Sequence, residues 1–234
     1  MTAKPGQRGA PSSDALQAPL GSRYRALIVD YGGVLTTSIG ASFAAFCLET
    51  GVDPERFKTI VAEAYHGEGS DGMIARVERG SLSPRDFERW LAEALSEGSA
   101  RPVKAAGLRR RIMASVQPDG AMIGAVGRLR AAGTRTALIS NTWGPPVAYG
   151  ARQMKDIFDA IVRSDEVGLR KPDPEIYLLT ATRLQVSPAA CVFVDDLLQN
   201  VEGARAVGMH AFVHRNAHFT LPRLEELFGV PLSG

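Results

Sequence analysis

The chain has 234 residues, of which 45% are apolar and 22% charged, and carries a net charge of +2. That length buries a substantial core and suits one domain, or one with a modest insertion, and the composition excludes a disordered or fibrous chain. So small a charge argues against nucleic acid as a partner, and no apolar stretch approaches the ~18 residues needed to span a membrane.

Residues 1–22 are rich in Pro, Gly, Ser and Ala and show almost no periodicity. Such a segment buries too little apolar area to offset its ordering entropy, so it reads as a flexible tail without chemistry. It also lacks the apolar core of a secretory signal. The next feature is the apolar run Ala26-Leu27-Ile28-Val29, which stops at Asp30 and is followed by Gly32-Gly33. Two later segments repeat the pattern: Thr136-Ala137-Leu138-Ile139 stops at Ser140-Asn141-Thr142, and Cys191-Val192-Phe193-Val194 stops at Asp195-Asp196. Short continuous apolar runs with polar stops fit strands buried on both faces, as in a parallel sheet. Weaker runs at 160–162 and 211–213 complete it.

Between the first run and the second, residues 38–115 break the alternation. Helical patterns at 43–49, 54–64 and 84–95 occur there with no convincing strand, and Ser83 before Pro84, with Asp86 following, marks a good helix start. This stretch is expected to be a helical insertion in a core made of 23–37 and 116–234. Phe87, Trp90 and Leu91 are expected to pack it, and the run Arg109-Arg110-Arg111 to be a solvated helix face. In the core, 122–132 closes on Gly133; 174–184 opens with Asp173 placed to cap and Pro174 in the first turn; 201–207 ends at Gly208. Strand and helix in alternation predict an α/β fold, a doubly wound parallel sheet with right-handed crossovers. Cys191, inside an apolar run and far from Cys47, reads as a buried free thiol, which fits a reducing, cytoplasmic setting.

In such a sheet, ligands bind at the carboxyl ends of the strands, where strand order reverses. The three polar stops all fall there, so Asp30, Ser140, Asp195 and Asp196 should share one crevice, joined by Lys171 from the loop Gly168-Leu169-Arg170-Lys171-Pro172. Several carboxylates stay ionised together only beside a cation, and a set of oxygen ligands without Cys or His selects Mg2+ over Zn2+. A metal, a lysine and a hydroxyl beside a carboxylate make a site for a phosphate-like anion that the carboxylate can attack.

The order DYGGVL, LISNT, GLRKPDPEIY and VFVDDLLQNVEGARAVGM resembles the four motifs of the haloacid dehalogenase superfamily, over nearly everything after residue 24. The phrasing around SNTW and KPDPEIY is similar to the phosphatase-like N-terminal domain of soluble epoxide hydrolases. The resemblance implies a Rossmann-like core with a small helical cap at 38–115 and a role for each site residue. Asp30 would form an aspartyl-phosphate. Ser140 and the Asn141 backbone would hold the phosphoryl oxygens, with Gly33 also binding substrate, and Lys171 would neutralise nucleophile and phosphate. Mg2+ would sit on Asp30, the Gly32 carbonyl and Asp196, with Asp195 beside it and Asn200 in support.

One position departs from the family. Where its phosphatases usually carry a second Asp as general acid and base, this chain has Gly32. That acid is typically worth about 10²–10⁴-fold, so a slow enzyme or one needing good leaving groups is expected, unless His66 or Asp71 substitutes. Gly32-Gly33 is not a dinucleotide fingerprint, for the third glycine is missing. His210, His214 and His218 are evenly spaced, but His218 would lie off the strand and a metal site there is not expected. Trp143 could line the crevice. The expected activity is Mg2+-dependent hydrolysis of a small phosphorylated metabolite. A metal-free 2-haloacid dehalogenase and a catalytically weak binding protein stand as alternatives.

Overall fold

The computed structural model describes residues 23–66, 72–97, 101–144 and 151–232. The expected flexible tail at 1–22 and Asp71 lie outside the described residues, as does the side chain of His66.

Five parallel strands form one sheet: β1 (Ala26–Val29), β2 (Arg135–Ser140), β3 (Ala160–Arg163), β4 (Cys191–Asp195) and β5 (His210–Val213), in the order β3-β2-β1-β4-β5. The apolar runs are continuous because both faces of the sheet are covered. Leu27, Val29, Val192 and Val194 enter one cluster with Met122, Leu129, Leu224 and Phe228. Ala26, Ile28, Cys191 and Phe193 enter the other with Ile176, Tyr177, Ala181 and Val201. Successive side chains alternate between the clusters as a strand's period of two requires. Order reverses between β1 and β4, which places the crevice beside the end of β1.

Between β1 and β2 run α1 (Ile39–Thr50), α2 (Pro54–His66), α3 (Met73–Glu78), α4 (Pro84–Ser96) and α5 (Leu108–Ile112). They enclose a cluster of their own, built on Phe46, Phe57, Ile74, Phe87, Leu91, Leu95 and Leu108. The start of α4 is as its sequence reads: the Ser83 hydroxyl accepts from the Asp86 N–H at 3.1 Å. The two chain segments that link these helices to the sheet run side by side, with the Thr37 N–H donating to the Gln117 carbonyl at 2.8 Å and Thr36 bridging Pro118.

The remaining helices cover the sheet: α6 (Gly120–Ala131), α7 (Ala151–Ile157), α8 (Ser164–Val167), α9 (Pro174–Leu184), α10 (Leu198–Ala206) and α11 (Ala217–Phe228). Asp119 caps α6 by accepting from the Met122 N–H at 3.0 Å. Asp173 occupies the cap position of α9 without capping it, because its carboxylate pairs with Arg79, the residue after α3, at 3.0 Å. An ion pair outweighs a cap hydrogen bond when a guanidinium is within reach. The sequence reading does not include α11, which carries Pro222 inside it. Burial of Leu224 and Phe228, and an Asn216 cap on the Phe219 N–H at 3.1 Å, carry it past that residue. No described helix is long and apolar enough to cross a membrane.

Candidate active site

The sheet brings the polar stops together. Asp30 follows β1, its N–H bonded to the Val194 carbonyl at 2.9 Å, so it stands beside Asp195 at the end of β4. Lys171 reaches between them. Its Nζ donates to Asp30 Oδ1 and to Asp195 Oδ2, both at 2.6 Å, and only 2% of the residue is exposed. A lysine buried so fully is held by its carboxylates or not at all. Burial disfavours its charge, but Asp195 and Asp30 outweigh that and the ammonium is held above its ordinary range.

Asp195 is further engaged. Its Oδ1 accepts from the Leu197 N–H at 2.9 Å, and the Asn200 amide donates to both its oxygens, at 3.0 and 3.1 Å. Asn200 thus holds Asp195 in place. Asp196 lies against Gly33. A Cβ on Gly33 would stand 2.3 Å from Asp196 Oδ2, and its φ of +78° is one that side chains rarely adopt. The Gly33 N–H is already given to the Thr36 hydroxyl at 3.1 Å. Gly33 therefore makes room for Asp196.

Ser140, the last residue of β2, is half-buried, and its hydroxyl makes only a marginal 3.5 Å contact with the Asn141 carbonyl. Asn141 does more than its backbone. Its side-chain oxygen accepts from the Lys171 N–H at 2.8 Å while its amide donates to the Lys171 carbonyl at 2.9 Å, clamping the lysine's own peptide from both sides. Sequence spacing gives no sign of that clamp.

Ligand atoms of Asp30, Asp195 and Asp196 all lie within 4.8 Å of one another. Burial, reinforced by Asp195 against the pull of Lys171, pushes Asp30 up to about 7; burial and Asp195 push Asp196 up to about 6. One lysine does not balance three carboxylates, and an all-oxygen set of this size fits a hard divalent cation. The sign of the pH effect follows. Both folded values exceed the ordinary 3.8, so the metal-free fold binds protons the unfolded chain releases, and its stability falls as pH rises from about 4 to about 7. Mg2+ competes with those protons. At ~100 times its dissociation constant it is expected to raise the melting temperature by about 5–10 °C at pH 8 and by clearly less at pH 5.5. A shift independent of pH would remove these carboxylates as its ligands.

Other residues singled out in the sequence take other places. His214 is buried, its Nδ1 2.9 Å from the Thr220 hydroxyl, and His210 packs on the Tyr24 ring; the histidines form no metal-ligating group among the described residues. Trp90 stacks on Phe87 with ring centroids 5.8 Å apart, as expected. Trp143 packs on Phe43 and Phe87 of the helical cluster. Arg109 is not a solvated charge: it pairs with Glu88 at 3.4 Å and donates to the Trp143 carbonyl, fastening α5 to the loop after β2.

A model of haloacid dehalogenase-like hydrolases matches residues 24–208. The chain is 29% identical over 230 residues to bifunctional epoxide hydrolase 2 of Sus scrofa, covering 89% of this chain and 39% of that protein. It is 28% identical over 215 residues to acyl-CoA dehydrogenase family member 10 of Mus musculus, covering 91% of this chain and 20% of that one. The chain thus spans well under half the length of both. To a sesquiterpene phosphatase of Aspergillus oryzae it is 29% identical over 209 residues, covering 88% of this chain and 97% of that one. Among solved structures, a haloacid dehalogenase family enzyme from Bacteroides thetaiotaomicron, in complex with magnesium and inorganic phosphate, shares the fold with a TM-score of 0.59 at 20% identity, over 82% of this chain and 94% of that one.

Proposed function

The chain belongs to the haloacid dehalogenase-like hydrolases, and from that premise we propose that it is a Mg2+-dependent phosphatase acting on a small phosphorylated metabolite through Asp30. The observation that carries the reading is the buried Lys171 bonded at 2.6 Å to both Asp30 and Asp195, with Asp196 completing an acidic trio. Lys171 fixes one oxygen of Asp30 and leaves the other to attack phosphorus. The new O–P bond forms as the bond to the leaving oxygen breaks, and that oxygen takes up a proton. Water then attacks the aspartyl-phosphate, releasing phosphate and restoring the carboxylate. The Ser140 hydroxyl and the Asn141 N–H are the donors for the phosphoryl oxygens. Asp30, the Gly32 carbonyl and Asp196 would hold Mg2+, which when bound supplies positive charge against the charge on phosphate and nucleophile. Asp195, its oxygens taken by Lys171, Leu197 and Asn200, serves by holding the lysine.

Helices α1–α5 are the cap in this reading, closing over the crevice to exclude bulk water and select substrate. Gly32 leaves the leaving oxygen without the usual acid. A Cβ there would lie 3.0 Å from Ile39 Cγ1, so the side chain of α1 fills the space beside it. Turnover of an alkyl phosphate is therefore expected to be about 10²–10⁴-fold slower than that of p-nitrophenyl phosphate, whose leaving group needs little protonation. Equal rates would show that another residue supplies the proton. The two buried free thiols, Cys47 and Cys191, accord with a reducing cytoplasm.

Hydrolysis of p-nitrophenyl phosphate with Mg2+ and with EDTA tests the reading. Turnover is expected with Mg2+ and none with EDTA. Release of halide from a 2-haloacid that survives EDTA would replace it with the dehalogenase reading.

A further inference from the structure

We propose that Glu78 is a positioning residue for the catalytic lysine, the point at which the helical insertion sets the geometry of the Lys171 loop. The inference rests on the phosphatase reading for its kinetic consequence and on geometry alone for its structural one.

Glu78 is the last residue of α3, and 2% of it is exposed. A carboxylate so deeply buried needs strong partners. Those it has come from the core as well as from its own helices. Arg170 donates Nε–H to Oε2 at 2.7 Å, and the Asn141 amide reaches the same oxygen at 3.3 Å. The Tyr65 hydroxyl donates to Oε1 at 3.3 Å. The Arg170 guanidinium in turn lies over the Tyr65 ring, 5.5 Å from its centroid.

Both core partners adjoin the chemistry. Arg170 precedes Lys171 in the chain, and Asn141 is the side chain that clamps the Lys171 peptide at 2.8 and 2.9 Å. An unbroken series therefore runs from Glu78 through Asn141 to Lys171, and from its ammonium to Asp30 at 2.6 Å. The Asn141 amide has two protons, and these bonds use them on Glu78 and the Lys171 carbonyl, which sets which way the clamp faces. The next residues dock the end of the same helix on the core: Arg79 pairs with Asp173 of the Lys171 loop at 3.0 Å, and a Cβ on Gly80 would stand 2.5 Å from the carbonyl oxygen of Asp165 in α8. A buried ion pair that served only cohesion would do as well anywhere on this interface. This one is bonded to the residue that orients the lysine.

The test is Glu78→Gln, which keeps the volume and removes the charge. Amide exchange is measured first, without metal or substrate. Exchange in the peptide spanning 168–173 is expected to quicken about 10- to 100-fold, with peptides from α9 and β4 unchanged. Unchanged exchange at 168–173, or a rise of similar size throughout the chain, overturns the proposal, the second because it would make Glu78 a general stabiliser. On p-nitrophenyl phosphate, kcat should fall about 10- to 100-fold with a smaller change in KM, and Asn141→Ala in the same chain should add little to that loss. Losses that multiply overturn the series through Asn141. The wild-type rate alone judges the phosphatase reading, so an inactive wild type leaves the exchange result to decide this proposal. Should Glu78→Gln fail to fold, Tyr65→Phe, which strips one donor from the same carboxylate, is measured in its place, with the same local rise in exchange expected and its absence decisive.

Discussion

Asp30→Asn is expected to lower turnover of p-nitrophenyl phosphate by more than about 10⁴-fold without loss of fold. Asparagine keeps the shape of the side chain and an oxygen for Lys171 to donate to, so the 2.6 Å contact has a replacement. It does not keep a nucleophile, for an amide oxygen cannot form a stable ester with phosphorus. The same substitution removes one of three clustered negative charges. Burial and Asp195 already push Asp30 up to about 7, so its ionised form weighs against the metal-free fold. The variant should therefore melt, without Mg2+ at pH 8, no lower than the wild type. An inactive variant that is also unstable would give Asp30 a structural role. A variant within about tenfold of the wild-type rate would remove it as the nucleophile.

Those two expectations pull in opposite directions because the site holds charge the fold does not need. Among the elements, what was legible in the sequence is what burial enforces. β1, β2 and β4 read as continuous apolar runs because both faces of the sheet are covered, and each stop fell where the chain leaves the sheet for the crevice. Asp30, Ser140, Asp195 and Asp196 were legible for that reason, and Lys171 through its motif. Contacts between distant segments were not. Glu78 lies 63 residues from Asn141 and 92 from Arg170, and nothing in the pattern of a 6-residue helix marks its last side chain as buried. Arg109, in a run that reads as solvated charge, is bound to Glu88 and the Trp143 carbonyl, since the insertion folds back on the loop after β2. Asp173 has the sequence of a cap and the partner of an ion pair. In each case a local rule was overruled by a partner that only the fold supplies.

The lysine is where stability and chemistry meet, and Lys171→Met should damage both. Methionine fills a similar volume and removes the ammonium that faces Asp30 and Asp195 at 2.6 Å. Two carboxylates, one wholly buried, then lack their cation, and breaking a buried pair from one side costs about 3–5 kcal/mol. For a chain of this size that lowers the melting temperature by about 6–20 °C. The loss should depend on pH. With the lysine gone, Asp30 is pushed further above its wild-type value of about 7, so the variant's deficit is smallest below that pH, where a proton takes the place of the ammonium, and builds as pH rises through it. Lys58→Met, at an exposed pair with Glu55, should leave the melting temperature unchanged at every pH. Turnover in Lys171→Met should be lost at all of them, because protonating Asp30 restores the fold and disables the proposed nucleophile. A variant as stable as the wild type at pH 8 would mean that the two carboxylates are not ionised together in the metal-free protein. The charge excess on which the Mg2+ proposal rests would then not exist.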